Sequence, residues 1–262
     1  MIKLGVCRGI EDAAAAYEAG FDYIECCFSQ VMTLPDTEFK EWKQKLADSP
    51  IPCMAMNIML PGRFRLTGPE ADLKPVHEYL SSTMERAAEI ELPLLVFGSG
   101  GARNVPVDAQ GCMTFPMDKA LDQIYEYLVM AGGIAEQNGV TIVIEPLRAK
   151  ECNIIQLVSE GAEMARRVNL PNVKLLADLT HMADMNDDMQ SIVDARDIMR
   201  HCHVSNPNGR IFPQPGDGWD YSPFFNALKS IDYCGGVSIE AGCDDFASQI
   251  RPAFEVLDGY RR

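Results

Sequence analysis

The chain has 262 residues, 47% hydrophobic and 23% charged, so it can bury a sizeable core without disulfide or other staples. A formal net charge of −15 with no basic stripe excludes a partner held mainly through its phosphate backbone, so no nucleic acid partner is expected. No run is long enough to span a membrane, the opening stretch MIKLGVCRGIEDAAAAYEAG lacks a signal-peptide core, and nine cysteines without CxxC spacing read as reduced thiols; these features predict a cytoplasmic protein with no membrane partner.

In chain order, short apolar runs alternate with longer segments of helical periodicity. Strands are predicted near 2–6, 22–28, 51–58, 93–98, 140–145, 173–178, 199–205 and 236–240. Between them, segments 72–90 and 117–138 carry apolar residues three and four apart, and Gly139 stops the second. The pattern yields eight strands and eight helices. Strict alternation implies a parallel sheet with right-handed crossovers, and eight such units in a chain near the ~250 residues typical of the fold close most naturally into a barrel. An open doubly wound sheet is the runner-up, but no GxGxxG follows the first strand. The Gly-rich run Gly98-Ser99-Gly100-Gly101 leads instead into a long loop reaching Pro116, which a barrel would place on its active face. With no linker or repeat, residues 1–262 read as one α/β domain, a single (β/α)8 TIM barrel.

Four of the later runs end in residues able to bind a metal. VTIVIEP ends at Glu145, VKLLADLTH supplies Asp178 and His181, IMRHCHVSN supplies His203, and GGVSIEAG supplies Glu240. A barrel opens all its strand C-termini onto one face, so Glu145, Asp178, His203 and Glu240 would sit on adjoining staves five to eight. A lone carboxylate at a strand end is most often solvated or paired with Arg; four in register are far harder to obtain by accident. Three carboxylates and one imidazole suit a divalent metal ion, Mn²⁺ first, with Mg²⁺, Co²⁺, Zn²⁺ or Fe²⁺ as alternatives.

On these residues the chain resembles the xylose isomerase-like barrel superfamily, in the sugar isomerase and epimerase branch that includes the ketose 3-epimerases. The resemblance rests on IEPLRAKE with Glu145, Pro146 and Glu151, on Asp178 with His181 three residues later, on His201-Cys202-His203, and on GDGWDYSPFFNALKSIDYCGGVSIE ending in Glu240. It implies a metal-dependent isomerase or epimerase acting on a small-molecule sugar or polyol ketone, with proton transfer through a metal-stabilised enediolate. Glu145 and Glu240 would be the catalytic acid/base pair as well as ligands, and Glu151, His181 and an Arg after strand seven would hold sugar hydroxyls. The chain departs from the epimerase pattern after His203: Asn206 and Gly209 occupy the places of an acidic residue and an Arg, so an inserted residue would deliver Arg210 instead.

Other polar residues have two readings. Arg103, in GSGGARN, reads equally as a contact to substrate hydroxyls or an anionic group and as a solvated Arg on a structural turn. Asn57 and Glu25, near the ends of strands three and two, either face the pocket or fill the barrel interior, the second being the simpler account. His201 shares the face of His203 and is expected one layer deeper rather than as a ligand, and His77 belongs on a helix surface. The alternatives to an epimerase are an inosose-type dehydratase on the same scaffold, an endonuclease IV-like phosphodiesterase, which needs further His ligands after the early strands, and a non-catalytic sugar-binding protein. A homo-oligomer is compatible with all of these.

Overall fold

The computed structural model describes residues 1–261, in which eight strands alternate with helices from end to end. The strands are β1 (Lys3–Cys7), β2 (Tyr23–Cys27), β3 (Cys53–Asn57), β4 (Leu94–Phe97), β5 (Thr141–Ile144), β6 (Val173–Asp178), β7 (Met199–Val204) and β8 (Gly236–Ile239). They form a closed barrel in sequence order, every pair is parallel, and β1 closes on β8 through Leu4 beside Val237 and Val6 beside Ile239. All eight strands therefore lie where the apolar runs predict them.

The crossover helices bury one stripe each. Leu73–Glu89 begins with Asp72 accepting from the Lys74 N–H at 2.9 Å and buries Val76, Leu80, Met84 and Ala87 against the barrel. Met117–Gln137 buries Ala120, Ile124, Leu128 and Ala131, and the left-handed Gly139 (φ 72°) turns the chain into β5. Beyond the eight crossover helices expected, short helices at Phe28–Val31 and Leu179–Met185 follow directly on strand ends, and one at Gly100–Arg103 follows β4 after two residues. The loop between β4 and Met117 is thus not structureless: it holds the Gly100–Arg103 turn and an antiparallel bridge from Val107 to Met113.

Inside the barrel the two halves differ in character. On the β4–β6 side Val96, Val143 and Leu176 pack as a separate apolar cluster. On the β1, β2, β7 and β8 side the interior is polar, with Tyr23, Glu25, His201, His203 and Ser238 all buried. Two register shifts set this arrangement. The β2–β3 pairing passes from Cys53 to Ala55, and the β6–β7 pairing from Met199 to His201, leaving Arg200 as an extra residue. Such a bulge shifts the side-chain alternation by one, so Met199 joins the main hydrophobic core while His201 and His203 point inward.

Candidate active site

Beyond the bulge, β6 and β7 run in register, with Asp178 beside His203 and His203 in turn beside Ser238 on β8. The backbone continues this level at its edges, where the Glu145 N–H donates to the Phe97 carbonyl and the Glu240 N–H to the Val204 carbonyl, each at 3.1 Å. Glu145, Asp178, His203 and Glu240 consequently offer four ligand atoms that all lie within 4.8 Å of one another. His203 Nδ1 is 3.0 Å from Glu145 Oε1 and 3.5 Å from Glu240 Oε2.

Local chemistry explains the spacing from Asp178 to His181. Asp178 Oδ1 caps the helix Leu179–Met185 by accepting from the N–H groups of Thr180 (2.6 Å) and His181 (3.1 Å). The cap holds Oδ2 toward the centre, where it is buried with no hydrogen-bond partner. The first turn of that helix also carries the His181 ring inward, its Nε2 3.9 Å from Glu145 Oε1 and 3.8 Å from Asp178 Oδ2. Both ring nitrogens of His181 are buried and unpartnered. Unpaired buried polar atoms are costly, and their concentration here marks a place built for a ligand.

Arg210 reaches the site. Gly209 (φ 96°) and Arg210 (φ 52°) both adopt left-handed conformations, and the bridge between Asn206 and Ile211 folds the loop back. The guanidinium donates to Glu240 Oε2 at 2.5 Å and to Glu151 Oε1 at 2.7 Å. Glu151 also accepts from Arg148 Nε at 2.6 Å, and Arg148 donates to Asp184 at 2.9 Å. Arg148 escaped the sequence reading, although its spacing of three from Glu151 in IEPLRAKE is a recognisable ion-pair signal.

Arg103 is neither a substrate contact nor a solvated turn residue. It is fully buried and donates to the carbonyls of Phe97 (3.2 Å), Glu145 (2.7 Å) and Ile155 (3.4 Å) and to Cys152 Sγ (3.3 Å). A fully buried guanidinium that spends four of its five N–H groups behind β5 is turned away from a sugar; it anchors the backbone that carries Glu145. Asn57 faces a cavity of about 470 Å³ beyond β1–β3, lined also by Arg8, Asp12, Glu25 and Trp42. His201 sits one layer below His203, as its spacing predicts, and His77 is exposed on its helix beside Ser81.

The Gly-rich run proves to be a packing device. A Cβ on Gly100 would lie 2.6 Å from the Glu151 carbonyl oxygen, and one on Gly98 would lie 2.3 Å from Glu145 Oε2. Gly98→Ala is therefore expected to displace the Glu145 carboxylate and to weaken any divalent-metal binding at this site at least about tenfold, measured by titrating the metal-free protein. Parental affinity would show that Glu145 has another place to go.

Electrostatics favour a cation at this point. Burial, and then the charge of Glu240, push the Glu145 carboxyl up. At Glu240 burial opposes ionisation, but His203 and Arg210 outweigh it and pull the carboxyl down to about 2. At His203 burial disfavours the imidazolium, yet Glu25, Glu240 and Glu145 hold it charged well above its ordinary range. Burial pushes the Cys7 thiol well up, so the alternative cluster of Cys7, Glu25 and His203 offers no ready thiolate. The oxygen-rich set of Glu145, Asp178, His203 and Glu240, in which Asp178 Oδ2 accepts no hydrogen bond, fits a hard or borderline divalent ion.

The description "xylose isomerase-like TIM barrel" matches residues 13–260. The chain belongs to that family. Within it, the chain is 25% identical over 84% of its length to a D-psicose 3-epimerase of Agrobacterium fabrum, of which it covers 75%. It is 32% identical over 44% of its length to an L-ribulose 3-epimerase of Methylomonas, of which it covers 39%. Among solved structures, a 3-keto-D-glucoside 4-epimerase from E. coli superimposes with a TM-score of 0.83 at 19% identity, covering 99% of this chain and all of that one. These likenesses agree with the resemblance carried by the four strand ends. No helix among the described residues is long and apolar enough to cross a membrane.

Proposed function

We propose that the protein is a divalent-metal-dependent epimerase or isomerase of a sugar or polyol ketone. One observation carries this reading: two carboxylates from strand ends three staves apart, Glu145 and Glu240, converge on Nδ1 of His203 beside an Asp178 oxygen with no hydrogen-bond partner. The names of the relatives, a D-psicose and an L-ribulose 3-epimerase, support it. Glu145, Asp178, His203 and Glu240 would hold the metal, Mn²⁺ by preference. When bound, the metal supplies Lewis-acid polarisation of the substrate carbonyl, which acidifies the neighbouring C–H.

The chain's own residues then move the proton. One of the two carboxylates, ionised, takes it from the carbon beside the ketone, leaving an enediolate, and the other, which carries a proton at that stage, delivers it to the opposite face; this inverts that carbon and leaves the pair with its protonation exchanged. His181, Arg210, Glu151 and Asn57 would orient the hydroxyls, and Arg210 also keeps the Glu240 oxygen in place. A β-hydroxyl departing with a proton from His181, whose ring nitrogens have no hydrogen-bond partner, would make the same site a dehydratase. For an endonuclease IV-like reaction, His77 is the remaining imidazole, and it lies on an exposed helix face.

The test is incubation of the purified protein with Mn²⁺ and a panel of ketoses and inososes in deuterated water. The expected result is a product isomeric with the substrate and deuterated at one carbon, lost on chelation and restored by Mn²⁺. A product lighter by one water would establish the dehydratase, and no exchange on any substrate would leave a sugar-binding role.

A further inference from the structure

The polar half of the barrel interior contains a charged group that the mechanism above does not use. Glu25 lies inside the barrel and is 1% exposed. Its Oε1 accepts from His203 Nε2 at 2.9 Å, and its Oε2 accepts from His201 Nε2 at 2.8 Å and from Ser238 Oγ at 2.6 Å. Tyr23 OH lies 2.8 Å from Ser238 Oγ and, since that hydroxyl already donates to Glu25, completes the chain as its donor. The barrel makes room for this network: a Cβ on Gly5 would lie 2.2 Å from the Tyr23 ring, and one on Gly236 would lie 2.5 Å from the Tyr23 hydroxyl.

Such a network is an inefficient way to stabilise a barrel, because apolar side chains of similar volume fill an interior equally well without desolvating a charge. The opposite side of this same barrel does so with Val96, Val143 and Leu176. What the network does achieve is geometric. When a metal ion takes the place of the Nδ1 proton, a carboxylate on Nε2 keeps the remaining proton of His203 there and directs Nδ1 at the point where Glu145, Asp178 and Glu240 converge.

We propose that Glu25 is a positioning residue for the metal centre, held by His201 and Ser238 so that it sets the tautomer and ring orientation of His203. The assignment rests on the metal reading of the site given above. Glu25 does not touch the substrate's reacting atoms; its effect passes through one ligand.

The experiment uses the full chain stripped of metal. Mn²⁺ is titrated calorimetrically into the parent, Glu25→Gln and Ser238→Ala, and the visible absorption of Co²⁺ is recorded on each. Glutamine keeps the size of the side chain but cannot accept from both imidazoles and the hydroxyl, and it is expected to weaken Mn²⁺ binding about 10- to 100-fold and to alter the Co²⁺ bands. Ser238→Ala leaves the carboxylate but withdraws one of its donors and the acceptor of the buried Tyr23 hydroxyl, so it is expected to weaken binding several-fold and to lower metal-free melting modestly while the protein stays folded. Parental Mn²⁺ affinity and Co²⁺ bands in a folded Glu25→Gln overturn the assignment; should that variant not fold, parental affinity in Ser238→Ala overturns it. A parent that takes up no Mn²⁺ overturns instead the metal reading on which the assignment depends.

Discussion

Glu145→Gln and Glu240→Gln are each expected to lower interconversion of the substrate epimers by about 10²- to 10⁴-fold, the usual contribution of a positioned general acid or base. An amide oxygen can still ligate a metal but cannot take a proton, so the loss should fall on the rate more than on substrate affinity. The two variants should also differ in a diagnostic way. With one carboxylate gone, the survivor can still remove and return the proton on its own face, so each variant should wash deuterium into one epimer without forming the other. Proton NMR of the two epimers incubated separately in deuterated water reads this directly. Full interconversion in either variant would sink the two-carboxylate mechanism.

Arg103→Met is the change expected to cost most in stability. The guanidinium holds the carbonyls of Phe97, Glu145 and Ile155 and the sulfur of Cys152 in a region closed to water. Phe97 O and Ile155 O keep backbone donors from Glu145 and Leu147, so the Glu145 carbonyl is the group most exposed to the loss. An orphaned buried carbonyl and an imperfectly filled space together suggest about 2–5 kcal/mol, read as a lower denaturant midpoint at unchanged slope. Because the same backbone carries a proposed metal ligand, Mn²⁺ affinity should fall with it. A shift below about 1 kcal/mol would mean that the carbonyls find other donors.

These two expectations differ in how far the residues announced themselves. Glu145 and Glu240 end apolar runs of the length and composition of buried strands, a signal that needs no knowledge of the rest of the chain. Asp178 and His181 are similar, since an Asp that caps a helix and a His in its first turn are set by local hydrogen bonding. Arg103 lies in a Gly-rich segment whose composition matches an exposed turn, and nothing nearby in sequence shows that Cys152 and Ile155 close over it. Arg210 depended on two consecutive left-handed residues, of which only Gly209 has an obvious signature.

The sequence by itself determined the alternating βα architecture and the four strand-end candidate ligands, because strand burial, helix stops and caps are short-range effects written in neighbouring residues. Tertiary structure decided which interior groups meet. Glu25 on β2 finds His203 on β7 and Ser238 on β8 because the barrel closes β1 onto β8, and His201 and His203 face inward because Arg200 is an extra residue against β6. Both depend on pairing between strands far apart in the chain, where a one-residue change of register moves a side chain from one face to the other.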